Sequence, residues 1–268
     1  MKPNQLVIIG GGSSIREGLD KGLWNKIQGL WTFGLNYNYL DFKSTANIYI
    51  DPEFYDAEMT DDTLENGIPR KKIFRSLPLI LGQNYVTPEI LPNTILLKAA
   101  KDYSRDLHDG VYNPNLCGLW ALTLAIYLLD EGEIYLLGFD CGEARKPEDS
   151  KKTPSNPIEF AQMAIRDEKT RKWLTHYYQG LRRNHRGIGK VDWFNMKNST
   201  TGKTMVEKYF GPYQNETKCK IYNVSMCSKI NTFPQITYDE FFARLSKETY
   251  NQDEIREYIK QKLISVPR

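Results

Sequence analysis

The stretch Leu116-Cys117-Gly118-Leu119-Trp120-Ala121-Leu122-Thr123-Leu124-Ala125-Ile126-Tyr127-Leu128-Leu129 is followed, after a short polar link, by Ile134-Tyr135-Leu136-Leu137-Gly138-Phe139-Asp140. The first part is uncharged and rich in Leu and Ala, which predicts a helix buried on most sides against a sheet. The second part is apolar at successive positions, as is typical of a central strand of a parallel sheet. A helix that leads into such a strand is half of a βαβ unit. The stretch therefore predicts an α/β protein with a mostly parallel sheet flanked by helices.

Further β-rich runs, separated by turn residues, occupy the first half of the chain and one place near its end. The predicted strands are residues 6–9, 31–35, 47–50, 77–81, 94–97 and 220–225. Helices are predicted from residue 15, over 158–178 and over 238–264, the last with a break near Asn251. A polar loop is predicted at 143–157, and an inserted loop or small hairpin at 182–213. We therefore expect residues 1–268 to form a single domain with an inserted loop or small subdomain at about 143–218.

The composition is that of a globular protein with a core. Hydrophobic residues make up 40% of the 268 residues, charged residues make up 26%, and the net charge is +3. That charge is too small to indicate nucleic acid or a membrane surface as a partner by itself. No apolar run approaches the roughly 18 residues of a membrane span, and no signal peptide is apparent. The spacing of the four cysteines matches no zinc or redox motif, so we expect a cytoplasmic protein without a metal cluster.

In an open parallel sheet, ligands bind beyond the carboxyl ends of the strands, near the point where the strand order reverses. This rule selects candidate residues from the predicted strands without reference to any family. They are Gly10, Gly11, Gly12, Ser13, Ser14, Asn36 to Asn38, Asp51, Asp140 to Gly142, and Ser225 to Ser228.

The glycine turn, Gly10 to Ser14, is the strongest single motif among these candidates. Glycines let a ligand approach the backbone, and the helix that follows presents free N–H groups to a phosphate. Ser13 or Ser14 is expected to cap that helix. The turn is not a full dinucleotide fingerprint, because Ile15 stands where its third glycine would fall, and it is not a P-loop. A tight strand-to-helix turn without a ligand is the alternative interpretation.

The other strand-end residues each have two interpretations. The amides of Asn36 and Asn38 are candidates for nucleotide contacts, but Asn also serves left-handed turns. Asp51 could hold a metal or a ribose hydroxyl, or could simply form a turn before Pro52. Asp140 ends the central strand, where folding seldom needs a carboxylate, so a functional role is favoured there.

The chain has three histidines, and two of them are candidate catalytic residues. His185 lies in a cationic stretch, 182–190, whose charge would lower the pKa of its imidazole and leave a neutral base at pH 7. A solvated charged loop is the alternative for that stretch, and a packed helix residue is the alternative for His176. His108 is expected to be a solvated loop residue.

Several segments together resemble two related groups, the family-42 sialyltransferases and the family of 6-hydroxymethylpterin pyrophosphokinase-like and motility-accessory proteins. The first glycine turn, with Val7-Ile8-Ile9-Gly10-Gly11-Gly12-Ser13-Ser14-Ile15, is similar to their G-x-G-P-S-L turn, although Ser13 replaces the usual Pro. Asn36-Tyr37-Asn38 resembles their N-x-F segment, and residues 133–140 resemble their E-I-Y-L-x-G-x-D strand. Residues 221–225, with Ser228 and 233–236, resemble the closing strand of the pyrophosphokinase-like group. These segments cover about half of the chain and leave 143–218 uncovered.

The resemblance implies a Rossmann-like fold with nucleotide contacts at Gly10 to Ser14, Asn36 and Asn38, and with Asp140 near the transferred group. In the sialyltransferases, a histidine and tyrosines after the Asp strand act on the acceptor and the leaving phosphate. His185 or His176, with Tyr177 and Tyr178, are candidate counterparts.

The leading functional hypothesis is a transferase acting on a nucleotide-activated donor, best described as a sialyltransferase-like glycosyltransferase with a CMP- or UDP-sugar. The turn would bind the donor phosphate, and His185 would act as base on an acceptor, a glycan or small molecule more readily than a nucleic acid. The alternatives are an ATP-dependent pyrophosphokinase, with Mg²⁺ held by Asp51 and Asp140, and a non-catalytic nucleotide-binding module.

Overall fold

The computed structural model describes residues 3–87, 89–141, 204–226 and 228–268. Eleven strands occur in these ranges, and seven of them form one parallel sheet in the order β11-β10-β1-β2-β3-β6-β7. The strands are β1 (Gln5–Ile9), β2 (Thr32–Leu35), β3 (Ala46–Tyr49), β4 (Leu64–Glu65), β5 (Ile68–Pro69), β6 (Ile80–Gln83), β7 (Thr94–Leu97), β8 (Ala99–Ala100), β9 (Val111–Tyr112), β10 (Gly132–Leu137) and β11 (Cys219–Val224). The prediction of an α/β protein with a Rossmann-like parallel sheet is confirmed.

Helices cover both faces of this sheet. They are α1 (Ile15–Asp20), α2 (Leu23–Ile27), α3 (Pro52–Thr60), α4 (Arg70–Arg75), α5 (Cys117–Leu129), α6 (Met205–Phe210), α7 (Tyr238–Arg244) and α8 (Gln252–Lys262). On one face, α5 and α8 pack on alternate strand residues such as Leu6, Ile8 and Ile134. On the other face, α1, α2 and α7 pack on the intervening residues, such as Val7 and Tyr135. Burial on both faces explains why β1 and β10 are apolar at successive positions.

The order of the strands fixes where a ligand site belongs. From β1 the chain adds β2, β3, β6 and β7 toward one edge of the sheet. Helix α5 then carries it back to β10, on the opposite side of β1, and β11 extends the sheet from there. The direction of winding therefore reverses between β1 and β10. The carboxyl ends of these two strands flank the crevice in which doubly wound folds bind ligands.

Most predicted elements are confirmed, and the differences have local causes. The strand predicted at 77–81 begins at Ile80 instead. The strand predicted at 134–140 ends at Leu137. Gly138 adopts a left-handed φ of 68°, and the chain leaves the sheet at this residue. The break near Asn251 is confirmed, since the Asn251 side chain accepts hydrogen bonds from the first turn of α8.

The predicted insert, 143–218, is only partly described, because residues 142–203 lie outside the described ranges. From Thr204 onward the chain belongs to the main body. The loop or hairpin predicted at 182–213 is wrong for residues 204–213, where α6 and a 3₁₀ turn, Gly211–Tyr213, form instead. Phe210 and Tyr213 are buried in the core beneath α5, and the bounds of the insert, about 143–218, stay a prediction.

No described helix combines the length and the apolar character that crossing a membrane would require.

Candidate functional site

The glycine turn continues the pairing of β1 with β10 beyond the ends of both strands. The N–H of Gly10 donates to the carbonyl of Leu137 at 2.7 Å, and the N–H of Gly12 donates to the carbonyl of Gly138 at 2.9 Å. The turn is therefore held by the segment that leads to Asp140.

Two of the three glycines are required by this close approach. A Cβ on Gly10 would lie 2.8 Å from the carbonyl oxygen of Gly138. A Cβ on Gly12 would lie 2.5 Å from the same oxygen and 2.6 Å from Oδ2 of Asp140. Such distances are too short for real atoms, so the tight-turn interpretation supplies a sufficient reason for both residues. The role of Gly10, Gly11 and Gly12 in nucleotide binding stays a prediction.

The carboxyl group of Asp140 lies against the start of α1. Its Oδ2 accepts a hydrogen bond from the main-chain N–H of Ser14 at 2.9 Å and another from Oγ of Ser13 at 3.3 Å. The prediction that Asp140 directly ends the strand is wrong, because the strand ends at Leu137 and Asp140 lies in the loop after Gly138. The expected cap from a serine side chain is also wrong: Ser14 is at the N-cap position of α1 without a side-chain capping bond. A carboxylate oxygen thus receives the donors that we predicted for a phosphate.

A buried polar network fixes the main chain on either side of Asp140. The carbonyl of Phe139 accepts from Nδ2 of Asn223 at 3.2 Å and from Oγ of Ser228 at 2.8 Å. Nδ2 of Asn223 also donates to Oγ of Ser228 at 2.7 Å, and the N–H of Lys229 donates to the carbonyl of Asp140 at 2.9 Å. The loops after β10 and β11 are therefore joined, and Asp140 is positioned from both sides. Sequence reasoning places Ser228 in this region but assigns Asn223 no role.

Three polar atoms around Asp140 have no hydrogen-bond partner among the described residues. They are Oδ1 of Asp140, Oγ of Ser14 and the hydroxyl of Tyr238, and all three are enclosed. Tyr238 is the first residue of α7 and only 1% exposed, with its ring against Gly18 of α1. Its hydroxyl lies close to that of Ser14. Burial, with the nearby charges of Asp140 and Glu17, raises the pKa of Tyr238.

Tyr238 is missed by sequence reasoning. It is the first residue of a predicted helix, and no local pattern shows that its hydroxyl reaches the turn after β1. The proximity arises because α7 packs on the same face of the sheet as α1.

The two asparagines after β2 play different parts. Asn38 is fully buried, and its Nδ2 donates to the carbonyl of Gly10 at 3.2 Å, so it supports the turn from below. This burial argues against the direct nucleotide contact predicted for Asn38. Asn36 has a left-handed φ of 49°, which fits the turn interpretation. The residue is half-buried, and its buried Oδ1 has no hydrogen-bond partner among the described residues.

Ser225 belongs to the same edge of the sheet. Ile9, Leu137 and Val224 are aligned across three neighbouring strands, and Gly10, Gly138 and Ser225 follow them directly. Ser225 is buried, and its hydroxyl makes no hydrogen bond within the described structure.

Asp51 lies apart from this group. It is exposed at the start of α3, where partial desolvation and the charge of Glu53 raise the pKa of its carboxyl. Two strands, β2 and β1, separate β3 from β10, which at the usual strand spacing places Asp51 about 14 Å from Asp140. Mg²⁺ binds its ligands at about 2.1 Å. This spacing argues against a single Mg²⁺ shared by Asp51 and Asp140, and the magnesium role of the two residues stays a prediction.

The predicted catalytic histidines, His185 and His176, lie outside the described residues, as do Tyr177 and Tyr178. His108 is exposed and contacts two carboxylates, Asp106 and Asp109, whose hydrogen bonds and charges raise the pKa of the imidazole. Within the described ranges, no group of three or more His, Cys, Asp or Glu residues could hold a metal ion.

The fold and this crevice define an α/β protein of the Rossmann-like class with a polar site at its switch point. Comparison with known proteins found no matching family model, no matching curated protein and no matching solved structure.

Proposed function

We propose that this protein is a transferase that binds a nucleotide-activated donor, a CMP- or UDP-sugar, in the crevice between the carboxyl ends of β1 and β10. The observation that carries the proposal is the convergence of polar side chains at the switch point. Oδ1 of Asp140 and the hydroxyls of Ser14 and Ser225 come from loops that follow three adjacent strands. Oδ1 of Asp140 and the Ser225 hydroxyl have no partner in the described structure, and the Ser14 hydroxyl lies beside that of Tyr238.

Enclosed polar atoms without partners are unusual in folded proteins, because each costs about 1–3 kcal/mol relative to a satisfied one. In a cluster that serves only the fold, the polar atoms normally form hydrogen bonds with one another. Unpartnered polar atoms also occur elsewhere in the described structure, so the support for a polar ligand comes from the position of these atoms at the edge where parallel α/β folds bind ligands.

The roles within the proposal follow from position. The turn, Gly10 to Ser14, forms one wall of the crevice, with Asn38 as its support. Asp140 faces the ligand, and Asn36 and Ser225 extend the polar edge on either side. The catalytic base is proposed to be His185, with His176 as the alternative, on the sequence argument alone. The cytoplasmic location expected from the sequence likewise stays a prediction.

An ATP-dependent pyrophosphokinase is the second candidate, and it rests on the same resemblance of sequence motifs. The separation of Asp51 from Asp140 disfavours it, since the two carboxylates cannot share the Mg²⁺ of an ATP complex. A non-catalytic nucleotide-binding module is the third candidate, and it differs from the first only in having no need of His185.

The test is a thermal-shift panel of CMP, UDP, GDP and ATP, each with and without Mg²⁺, confirmed by calorimetric titration. A ligand present at 100 times its dissociation constant stabilises the folded state by about 2.7 kcal/mol, which a thermal shift resolves. We expect CMP or UDP to stabilise the protein without Mg²⁺. Stabilisation by ATP with Mg²⁺ alone would favour the pyrophosphokinase, and no shift with any of the four would overturn the proposal.

The location of the site is tested with Gly11→Val, which adds bulk to the middle of the turn. We expect the affinity for the best nucleotide of the panel to fall at least tenfold. Gly211→Val is the matched control, because a Cβ there would meet no atom within 4 Å. Unchanged affinity in Gly11→Val would remove the turn from the site.

The proposed base is tested with His185→Ala and His176→Ala. We expect His185→Ala to bind the nucleotide as the wild type does but to lose transfer of the sugar, because a general base contributes to the reaction and not to donor binding. Transfer that both variants retain in full would remove the histidines from the reaction. Nucleotide binding without any transfer in the wild-type protein would favour the binding module.

A further inference from the structure

Three consecutive residues of the 3₁₀ turn Asn36–Leu40, which follows β2, contact two different parts of the molecule. The middle one, Asn38, reaches the glycine turn, where its Nδ2 donates to the carbonyl of Gly10 at 3.2 Å. The outer two, Tyr37 and Tyr39, pack against α3 and α4 instead. The 3₁₀ turn therefore links the glycine turn after β1 to the two helices that follow β3.

The two tyrosines both contact one buried ion pair, formed by Glu58 of α3 and Arg70 of α4. The guanidinium of Arg70 binds one carboxylate oxygen of Glu58, and the hydroxyl of Tyr39 donates to the other. Arg70 also lies 5.0 Å from the centre of the Tyr37 ring, within the range of a cation–π contact. Burial and the charge of Glu58 raise the pKa of Tyr39, so its hydroxyl stays protonated and remains a donor at neutral pH.

The burial of this pair is not explained by stability alone. Glu58 and Arg70 are each 1% exposed. Replacing such a pair by apolar residues of similar volume is often neutral or stabilising, because two charges must be removed from water to form it. What the pair provides beyond an apolar contact is direction, since its oxygen and its guanidinium each fix the position of one tyrosine.

We infer that the pair of Glu58 and Arg70 is a positioning element for the ligand crevice, acting through Tyr37, Asn38 and Tyr39 on the main chain of the glycine turn. The inference rests on the proposed function for its effect on a ligand. The bond from Asn38 to the carbonyl of Gly10 is already long, so a displacement of the 3₁₀ turn by about 0.5 Å would break it. The pair acts on binding through the turn and does not itself contact the ligand.

The decisive variant is Tyr39→Phe, which keeps the ring on Phe74 and removes only the hydroxyl. We expect it to lower the affinity for the best nucleotide of the panel at least threefold. In the ligand-free protein, it should also shift the ¹H–¹⁵N amide signals of Gly10 to Gly12. Tyr55→Phe is the matched control, because Tyr55 is 1% exposed, packs on the same Phe74 and accepts a hydrogen bond from the N–H of Leu91. It should be destabilised to a similar extent but should change neither the affinity nor the glycine signals.

A double variant tests whether the effect passes through Asn38. Asn38→Leu removes the donor to the carbonyl of Gly10 and should lower the affinity more than Tyr39→Phe does. If the hydroxyl of Tyr39 acts only by placing Asn38, adding Tyr39→Phe to Asn38→Leu should lower the affinity no further, because the two changes break the same chain of contacts.

Three results would overturn the inference. The first is an unchanged set of glycine signals in Tyr39→Phe, or an unchanged affinity for a nucleotide that binds the wild type. The second is an equal effect of Tyr39→Phe and Tyr55→Phe, since general loosening of the aromatic cluster would then suffice. The third is a double variant whose loss of affinity is the product of the two single losses. Failure of every nucleotide in the panel would overturn the proposed function, whereas the glycine signals of ligand-free Tyr39→Phe would still test the inference.

Discussion

The main-chain N–H of Ser14 donates a 2.9 Å hydrogen bond to Oδ2 of Asp140, 126 residues further along the chain. This bond joins the turn after β1 to the loop after β10, across the point where the winding of the sheet reverses. It replaces the side-chain cap that α1 lacks. A carboxylate at this position is favourable for the helix, because it accepts an N–H that the helix leaves unpaired. The same bond requires that residue 12 have no side chain.

We expect Gly12→Ala to destabilise the folded protein by about 1–3 kcal/mol, the usual cost of forcing extra atoms into a packed site. The new Cβ would lie 2.5 Å from the main-chain oxygen of Gly138, which cannot rotate away. Urea unfolding measures the change. Gly211→Ala is the control, because a Cβ at that position would have no atom within 4 Å of it. Equal stability of the two variants would contradict the packing argument for Gly12.

A second prediction concerns the network that positions Asp140. Ser228→Ala removes a buried hydroxyl that donates to the carbonyl of Phe139 and accepts from Nδ2 of Asn223. Because both partners stay buried, we expect a loss of about 1–3 kcal/mol in the free energy of unfolding. Ser246→Ala, which removes an acceptor of the exposed Glu248 N–H, should cost less than about 0.5 kcal/mol. An unchanged free energy of unfolding in Ser228→Ala would show that the network does not hold the Asp140 loop.

Patterns that are local in sequence predict the fold well. The uncharged run of α5, the doubly buried β10 and the short β-rich runs are enough to place all seven strands of the central sheet near their observed positions. The polar edge of the sheet also follows from strand ends alone. These features depend on burial, and buried positions are occupied by apolar side chains whose spacing can be seen in the sequence.

Features that depend on contacts between distant residues cannot be predicted in this way. The sequence shows a glycine at position 138 but not its left-handed φ, which moves Asp140 off the strand and toward α1. Likewise Asn223 and Tyr238 contact the site only because α7 and β11 pack beside β10. The separation of Asp51 from Asp140 depends on strand order, which no local pattern specifies.

A third prediction concerns the buried charges that tie the segment after β2 to α3 and α4. Arg70 and Glu58 are each 1% exposed, and Arg70 also pairs with Asp61 at 3.1 Å. The hydroxyl of Tyr39 donates to the second oxygen of Glu58. Removing the cation in Arg70→Met leaves two carboxylates without compensation, so we expect a loss of about 3–5 kcal/mol in the free energy of unfolding.

The control for this prediction is Arg75→Met. Arg75 makes two 2.9 Å hydrogen bonds to Glu89, but both side chains are exposed, so its removal should cost less than about 1 kcal/mol. Adding Glu58→Gln to Arg70→Met should recover part of the lost stability, since the amide oxygen can still accept from Tyr39 without a charge. If Arg70→Met unfolds at the same urea concentration as Arg75→Met, the buried pair does not stabilise the fold.

The last prediction is the ionisation of His108. Hydrogen bonding to Asp106 at 2.6 Å is the largest cause that raises the pKa of the imidazole, followed by the charges of Asp106 and Asp109. Because the folded pKa lies above the unfolded value of about 6.5, the pairing stabilises the folded loop fully only below that pH and is lost as pH rises through the folded pKa. An NMR titration of the assigned His108 ring should give a pKa above the ordinary value. Asp106→Asn should lower it toward that value, whereas Asp102→Asn in the same loop should change it less. A wild-type pKa at or below the ordinary value would show that His108 is simply solvated, as the sequence alone indicates.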